Sequence, residues 1–184
     1  MSASVFHRHL ADGAATPRQA RQGEAAPGAA PGRRRSAASA PISWTLAGLC
    51  GTARVATSFG ELPVQALRRN DPLRLPGGRL ATVEWVDRIS LDEGFLDACP
   101  DALPVLIPAH AFGPGRPKNP IMVSPHQIVD TGSSPYQRAF RRARSLLDRP
   151  GFLRKPEFLV SYHLFHCGAP EAVQVEGLTL LMEP

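Results

Sequence analysis

The chain has little cysteine, few aromatics and no long apolar run. Its three cysteines, Cys50, Cys99 and Cys167, lie far apart and form no CxxC pair. That count and spacing argue against a disulfide scaffold and for a reducing, cytoplasmic setting. The most apolar early run, 42–50 (ISWTLAGLC), follows Arg33–Arg35 but is about half the length a bilayer span needs, and is short for a signal-peptide core. No membrane partner is expected. Aromatics make up 7% of the 184 residues, while 19 Pro and 16 Gly punctuate the rest. A long-helix bundle fits that poorly; short elements joined by turns fit well.

The charge is uneven. Lys and Arg number 21 against 16 Asp and Glu, a net charge of +5. Residues 1–41 contribute six Arg and two acids, so +4 of the total resides there and the remaining 143 residues carry +1. A basic balance can signal nucleic-acid binding, but a nearly neutral remainder predicts no specific nucleic-acid partner. Residues 1–41 also hold 12 Ala, four Pro and four Gly with almost no bulky apolar side chains. Such a stretch buries too little surface to offset the entropy of ordering, so residues 1–42 are expected to be a disordered tail ahead of a folded domain at 43–184.

From Ser43 onward the texture becomes β-like. Residues 52–57 (TARVAT), the turn at 58–60 and the run 61–64 read as strand, turn and strand. Residues 72–75 and 79–86 flank Pro76-Gly77-Gly78, a turn whose glycines accept positive φ. Within TVEWV (82–86), Val83 and Trp85 are expected on one face. Residues 91–103 read as an acidic loop, and 104–107, 121–124, 157–165 and 172–175 as further strands. One short helix is expected at about 135–148: Ser134 suits the N-cap, Pro135 the first position, Gln137 completes a capping box, and Phe140, Ala143 and Leu147 recur at helical spacing. The fold class is all-β with that one helix.

Three places could carry chemistry. Cys50 could be a nucleophile if a neighbouring base or cation lowered its pKa, although a lone Cys is more often a small buried apolar residue. Ser124 and His126, in VSPHQIV, leave a strand together, and such a His can protonate a departing amide nitrogen. His163, His166 and Cys167 invite a zinc reading, but on a strand His163 and His166 face opposite ways. No metal or other cofactor is expected.

Read in order, these segments resemble the Hedgehog/intein (Hint) superfamily, specifically bacterial Hint-type domains. GTARVAT (51–57) followed by GELPVQAL (60–67) is similar to the family opening GTRIATPxGExPVExL. VEWV (83–86) resembles IRWIG, PVLIPAHAFG (104–113) resembles PVRIRAGALG, 121–129 resembles LLVSPQHRVL, and 162–177 resembles YxHLLFxRHEVVFAEG. The resemblance covers about residues 44–178 and implies a flattened β horseshoe of short hairpins with both ends of the module at one site.

It also implies an activity: self-cleavage of a peptide bond, related to protein splicing. In active relatives a Cys or Ser at the module's first position attacks the preceding carbonyl, replacing an amide by a thioester or ester. The His of a Thr/Ser-x-x-His motif supplies the acid. The resemblance makes Cys50, Ser124, His126 and His163 the candidate catalytic residues. Any enzyme activity would be at most a single-turnover autocatalytic cleavage. Two departures bear on it. The family opens Cys-Phe-x-x-Gly-Thr, which puts Ala47 at the nucleophile position and Cys50 three residues late. Counting from Ser124 puts Gln127 at the histidine position, with His126 one residue early. Pro170 also replaces the His of the closing RHE, while His163 matches its place. Three residues along a strand displace a side chain by about 10 Å and turn it to the other face. The expectation is therefore a degenerate autoprocessing domain, monomeric, with a non-catalytic β module that binds an unidentified protein as the alternative.

Overall fold

A computed structural model describes residues 43–184 apart from 52 and 135. The expected disordered tail, 1–42, lies outside the described residues. Among the described residues, short β-runs separated by Gly and Pro form fourteen strands in two antiparallel sheets. The six-stranded sheet runs β11 (Leu153–Arg154), β7 (Val105–Ile107), β8 (Ile121–Val123), β1 (Leu49–Cys50), β12 (Leu159–His166), β6 (Trp85–Asp92). The larger sheet runs β10 (Phe140–Arg142), β9 (Ile128–Asp130), β14 (Leu178–Met182), β13 (Glu171–Val175), β2 (Arg54–Thr57), β4 (Pro72–Arg74), β5 (Leu80–Thr82), with β3 (Gly60–Pro63) paired to β2. The expected all-β class holds. Among the described residues no helix is long and apolar enough to cross a membrane.

The one α-helix among the described residues is not where sequence periodicity puts it. The described residues 136–148 contain no α-helix; β10 occupies 140–142 and a 3-10 turn occupies Ala143–Leu146. Phe140 pairs with Asp130 and Arg142 with Ile128, so the segment is the return strand of a hairpin. The Asp130 carboxylate accepts the N–H groups of Gly132 and Ala139 at 2.9 and 3.0 Å, which organises the connection and diverts the chain from a helical start. Sheet pairing thus overrode a local capping signal. The helix α1 (Glu93–Ala98) instead forms inside the expected acidic loop. Asp92 caps it, accepting the Phe95 N–H at 2.9 Å, and Leu96 supplies its buried side. An N-cap Asp followed by Glu93 in the first turn is favourable to the exposed N–H groups there.

Two hydrophobic clusters flank the six-stranded sheet, and β1 reaches both. Leu49 belongs to the larger cluster, with Val55, Val123, Phe165 and Leu180. Cys50 belongs to the smaller, with Trp44, Leu91, Leu96, Val160 and Tyr162. Neighbouring strand residues point to opposite faces, so one residue step moves a side chain from one cluster to the other. The expectation that Val83 and Trp85 share one face of a strand fails, because the strand is interrupted between them. Val83 lies outside any strand, fully buried, bridging to Asn70 and Asp71, and β6 begins only at Trp85, which is exposed.

Candidate functional site

The segment 44–48, just ahead of β1, is held by Ser124. Its hydroxyl donates to the Leu46 carbonyl at 2.5 Å and accepts the Trp44 indole N–H at 3.0 Å, while its backbone N–H donates to the Gly48 carbonyl at 2.8 Å. A hydroxyl has one proton to give, and here Leu46 takes it. Ser124 is fully buried. It is a clamp on the strand entry. The backbone N–H of His126 reaches the same hydroxyl oxygen at 3.3 Å, a local turn contact that does not involve the imidazole.

Beside this clamp lies an open cavity of about 320 Å³. Thr45, Leu46 and Ala47 form one wall; His126, Gln127 and Ile128 form another; Met182, Glu183 and Pro184 close a third side. Residues from both extremities of the folded region thus meet at one cleft, as the resemblance implies. Gln127 is fully buried and donates its amide N–H groups to the carbonyls of Leu181 at 2.9 Å and Ile128 at 3.2 Å. The Leu181 bond ties the entry of β9 to β14, the Ile128 bond is local, and the Oε1 atom is buried with no hydrogen-bond partner. Ala47 and Gln127, which the resemblance places at the nucleophile and histidine positions, line the same cavity; Pro170, the third departure, does not.

Cys50 and His163 lie elsewhere. Cys50 lines a separate cavity of about 540 Å³ with Gly51, Arg54, Asn119 and Lys155. This shares no residue with the cavity of His126. Burial pushes the Cys50 thiol up to about 12; the Glu157 charge adds to the shift and the nearby Tyr162 hydroxyl offsets part of it. A thiol so placed is protonated at neutral pH, the opposite of an activated nucleophile. His163 lines a third cavity, of about 270 Å³, with Val64, Gln65, Asp87 and Arg88. His166 lines the first cavity, so His163 and His166 do face different ways. Among the described residues no three His, Cys, Asp or Glu side chains gather as metal ligands would.

Both remaining candidate histidines are held below the ordinary imidazole range. Burial lowers His126 first, then the Arg144 and Arg142 charges, with Asp101 opposing. Burial lowers His163 first, then Arg88. Their folded pKa values thus lie below the unfolded value near 6.5. The unfolded chain therefore binds protons first as pH falls, and the stability present above about pH 6.5 is lost as pH drops through the folded values. Urea midpoints are expected to decline from pH 7 to pH 5, with a shallower slope in His163→Gln. An identical slope in that variant would remove His163 from the account.

Sequence reasoning missed the cavity's other wall. Trp85 stacks on His166, with ring centroids 5.3 Å apart and planes 18° from parallel, and both line the cavity with Arg142. The apolar run LTLLM after Gly177 is a local signal for β14, whose end completes the cleft. Trp85 lies in the VEWV motif and Arg142 in an Arg-rich run with Arg138, Arg141 and Arg144 that reads as a solvated face. Neither signal places its residue at the cavity.

The Hint domain family matches this chain over residues 48–180, well over half its length. Two crystal structures of the MchDnaB-1 intein are similar in three dimensions. One has a TM-score of 0.47 at 9% identity, covering 74% of this chain and 99% of that chain. The other has a TM-score of 0.46 at 8% identity, covering 73% and 99%. None of the curated proteins compared with the chain matches it significantly. From its strand pattern, its motif order and the family match, the chain belongs to the Hint domain family.

Proposed function

We propose that this Hint domain has lost self-cleavage and serves as a binding module built on the inherited cleft. One observation carries the reading: Ala47 and Gln127, which stand where the family motif has its nucleophile and its histidine, line one cavity together. A methyl group cannot attack a carbonyl, and an amide cannot protonate a departing nitrogen near neutral pH. Cys50 and His126 do not replace them in this reading. An N–S shift needs the thiolate in line with the scissile carbonyl and an acid at the leaving nitrogen. The Cys50 thiol is buried, protonated and in a different cavity from His126.

The test is intact mass after purification and incubation with a millimolar thiol at pH 7–8 (thiols open a thioester). The expected result is full-length protein throughout. A fragment beginning at Cys50, absent in Cys50→Ala, would restore the autocatalytic reading with Cys50 as nucleophile and His126 as acid.

A further inference from the structure

The cavity beneath Ala47 and Gln127 combines an apolar wall with a cationic edge. Ile128, Leu164, Phe165 and Met182 supply apolar lining. Leu46 and Trp85, also lining it, remain 42% and 43% exposed, high for large apolar side chains. Such side chains at a concave site mark a place where something docks. At about 320 Å³ the cavity is near the small end of ligand sites, about 300–1,000 Å³. It has room for a short piece of extended chain, not for a folded element.

Charge selects the occupant. Arg142, exposed in β10, lines the cavity. Arg144 follows it, its backbone N–H bound to the Pro125 carbonyl at 2.9 Å, beside His126. Neither guanidinium has a carboxylate partner among the described residues, whereas nearby Arg154 is paired with Asp101 at 2.8 Å. Both charges are felt at His126 within the cavity. The one acidic side chain among the described residues lining the cavity is Glu183. Two unneutralised guanidiniums beside an apolar wall fit carboxylates next to a large apolar side chain, since Arg takes carboxylates in bidentate fashion. Nucleic acid would call for a longer basic track with repeated exposed stacking surfaces. Among the described residues lining the cavity, Trp85 is the one large aromatic side chain that is exposed, Phe165 being buried.

We propose that the cleft binds an acidic, apolar-containing segment of a partner protein in extended form. Its carboxylates sit on Arg142 and Arg144, and its apolar side chain packs against Trp85 and Leu46. The proposal rests on the reading of the cleft as catalytically silent and names what the silent cleft holds.

The probe is a fluorescein-labelled Glu-Leu-Glu-Phe-Glu-Leu peptide, titrated with the full chain by fluorescence anisotropy. Saturable binding is expected. It should weaken at least about tenfold in Arg142→Glu, the loss typical of a central contact, and at least about tenfold when the probe's Glu residues become Gln. Arg141→Glu makes the same charge change on the same strand, but residue 141 faces the other way and does not line the cavity. It should bind within about twofold of the parent, because rim charges away from the contact change affinity little. Equal weakening in Arg141→Glu and Arg142→Glu, no saturable binding, or a thymidine 12-mer binding as tightly with the same Arg142 dependence would each overturn the proposal. Intact mass measured on the same samples separates the two failures. Lost binding with the chain uncut sinks the ligand assignment alone, and cleavage sinks the silent-cleft reading.

Discussion

Replacing Tyr162 with alanine is expected to destabilise the domain by about 3–5 kcal/mol, the range for deleting a fully buried aromatic side chain. Tyr162 lies at the centre of β12 with no exposed surface. Its ring stacks on Trp44, centroids 5.1 Å apart, and its hydroxyl donates to the Ala102 carbonyl at 2.7 Å. That single side chain ties together the strand entry at Trp44, the central strand β12 and the turn after α1. Truncation opens a cavity and orphans a buried carbonyl at once. Against a total stability of about 5–15 kcal/mol, the loss would lower the urea midpoint sharply. Tyr162→Phe keeps the ring and leaves the Ala102 carbonyl unpaired, so about 1–3 kcal/mol is expected. A cost below about 1 kcal/mol for Tyr162→Ala would mean that the smaller cluster is not a packed core.

The second large effect concerns thiol chemistry. With its pKa pushed up to about 12, Cys50 has about one thiol in ten thousand ionised at pH 8. An ordinary exposed cysteine has about a quarter ionised at that pH. Alkylation of Cys50 in the folded chain should therefore be slower by about a thousandfold from ionisation alone, before its burial is counted. Cys167 is half-buried and pushed up to about 11 by burial first, then by the Glu171 and Glu84 charges. It should be labelled ahead of Cys50. Timed iodoacetamide labelling with peptide mapping reads the order, and urea should abolish the difference. Prompt, stoichiometric labelling of Cys50 in the folded chain at pH 7–8 would show an exposed, activated thiol and revive it as a nucleophile.

Much of the fold was legible because its signals are local. The hairpin of β2 and β3 follows from β-runs either side of Ser58-Phe59-Gly60, where Gly60 adopts φ 116°. The helix was the opposite case. Around Ser134 the capping box and the spacing of Phe140, Ala143 and Leu147 are real local preferences, and pairing with β9 overrode them. Asp92, a good N-cap, stood in plain view, but six helical residues give too short a period to separate from an acidic loop.

The candidate site was legible only in part. The resemblance to the family motifs singled out Ala47 and Gln127. Trp85 falls in a motif and Arg142 in an Arg-rich run, but neither signal points to the cleft, and each enters it only because its strand is docked there. What the amino-acid sequence determined unaided was the class and the order of short strands. Composition, turn residues and spacing are properties of neighbouring residues. Only the tertiary structure decided which side chains share a cavity. That depends on which strands pair and in what register, and in a sheet a single-residue slip exchanges every inside for an outside. Hence Cys50, one step beyond Leu49, lies in the smaller cluster and outside the cleft that holds His126.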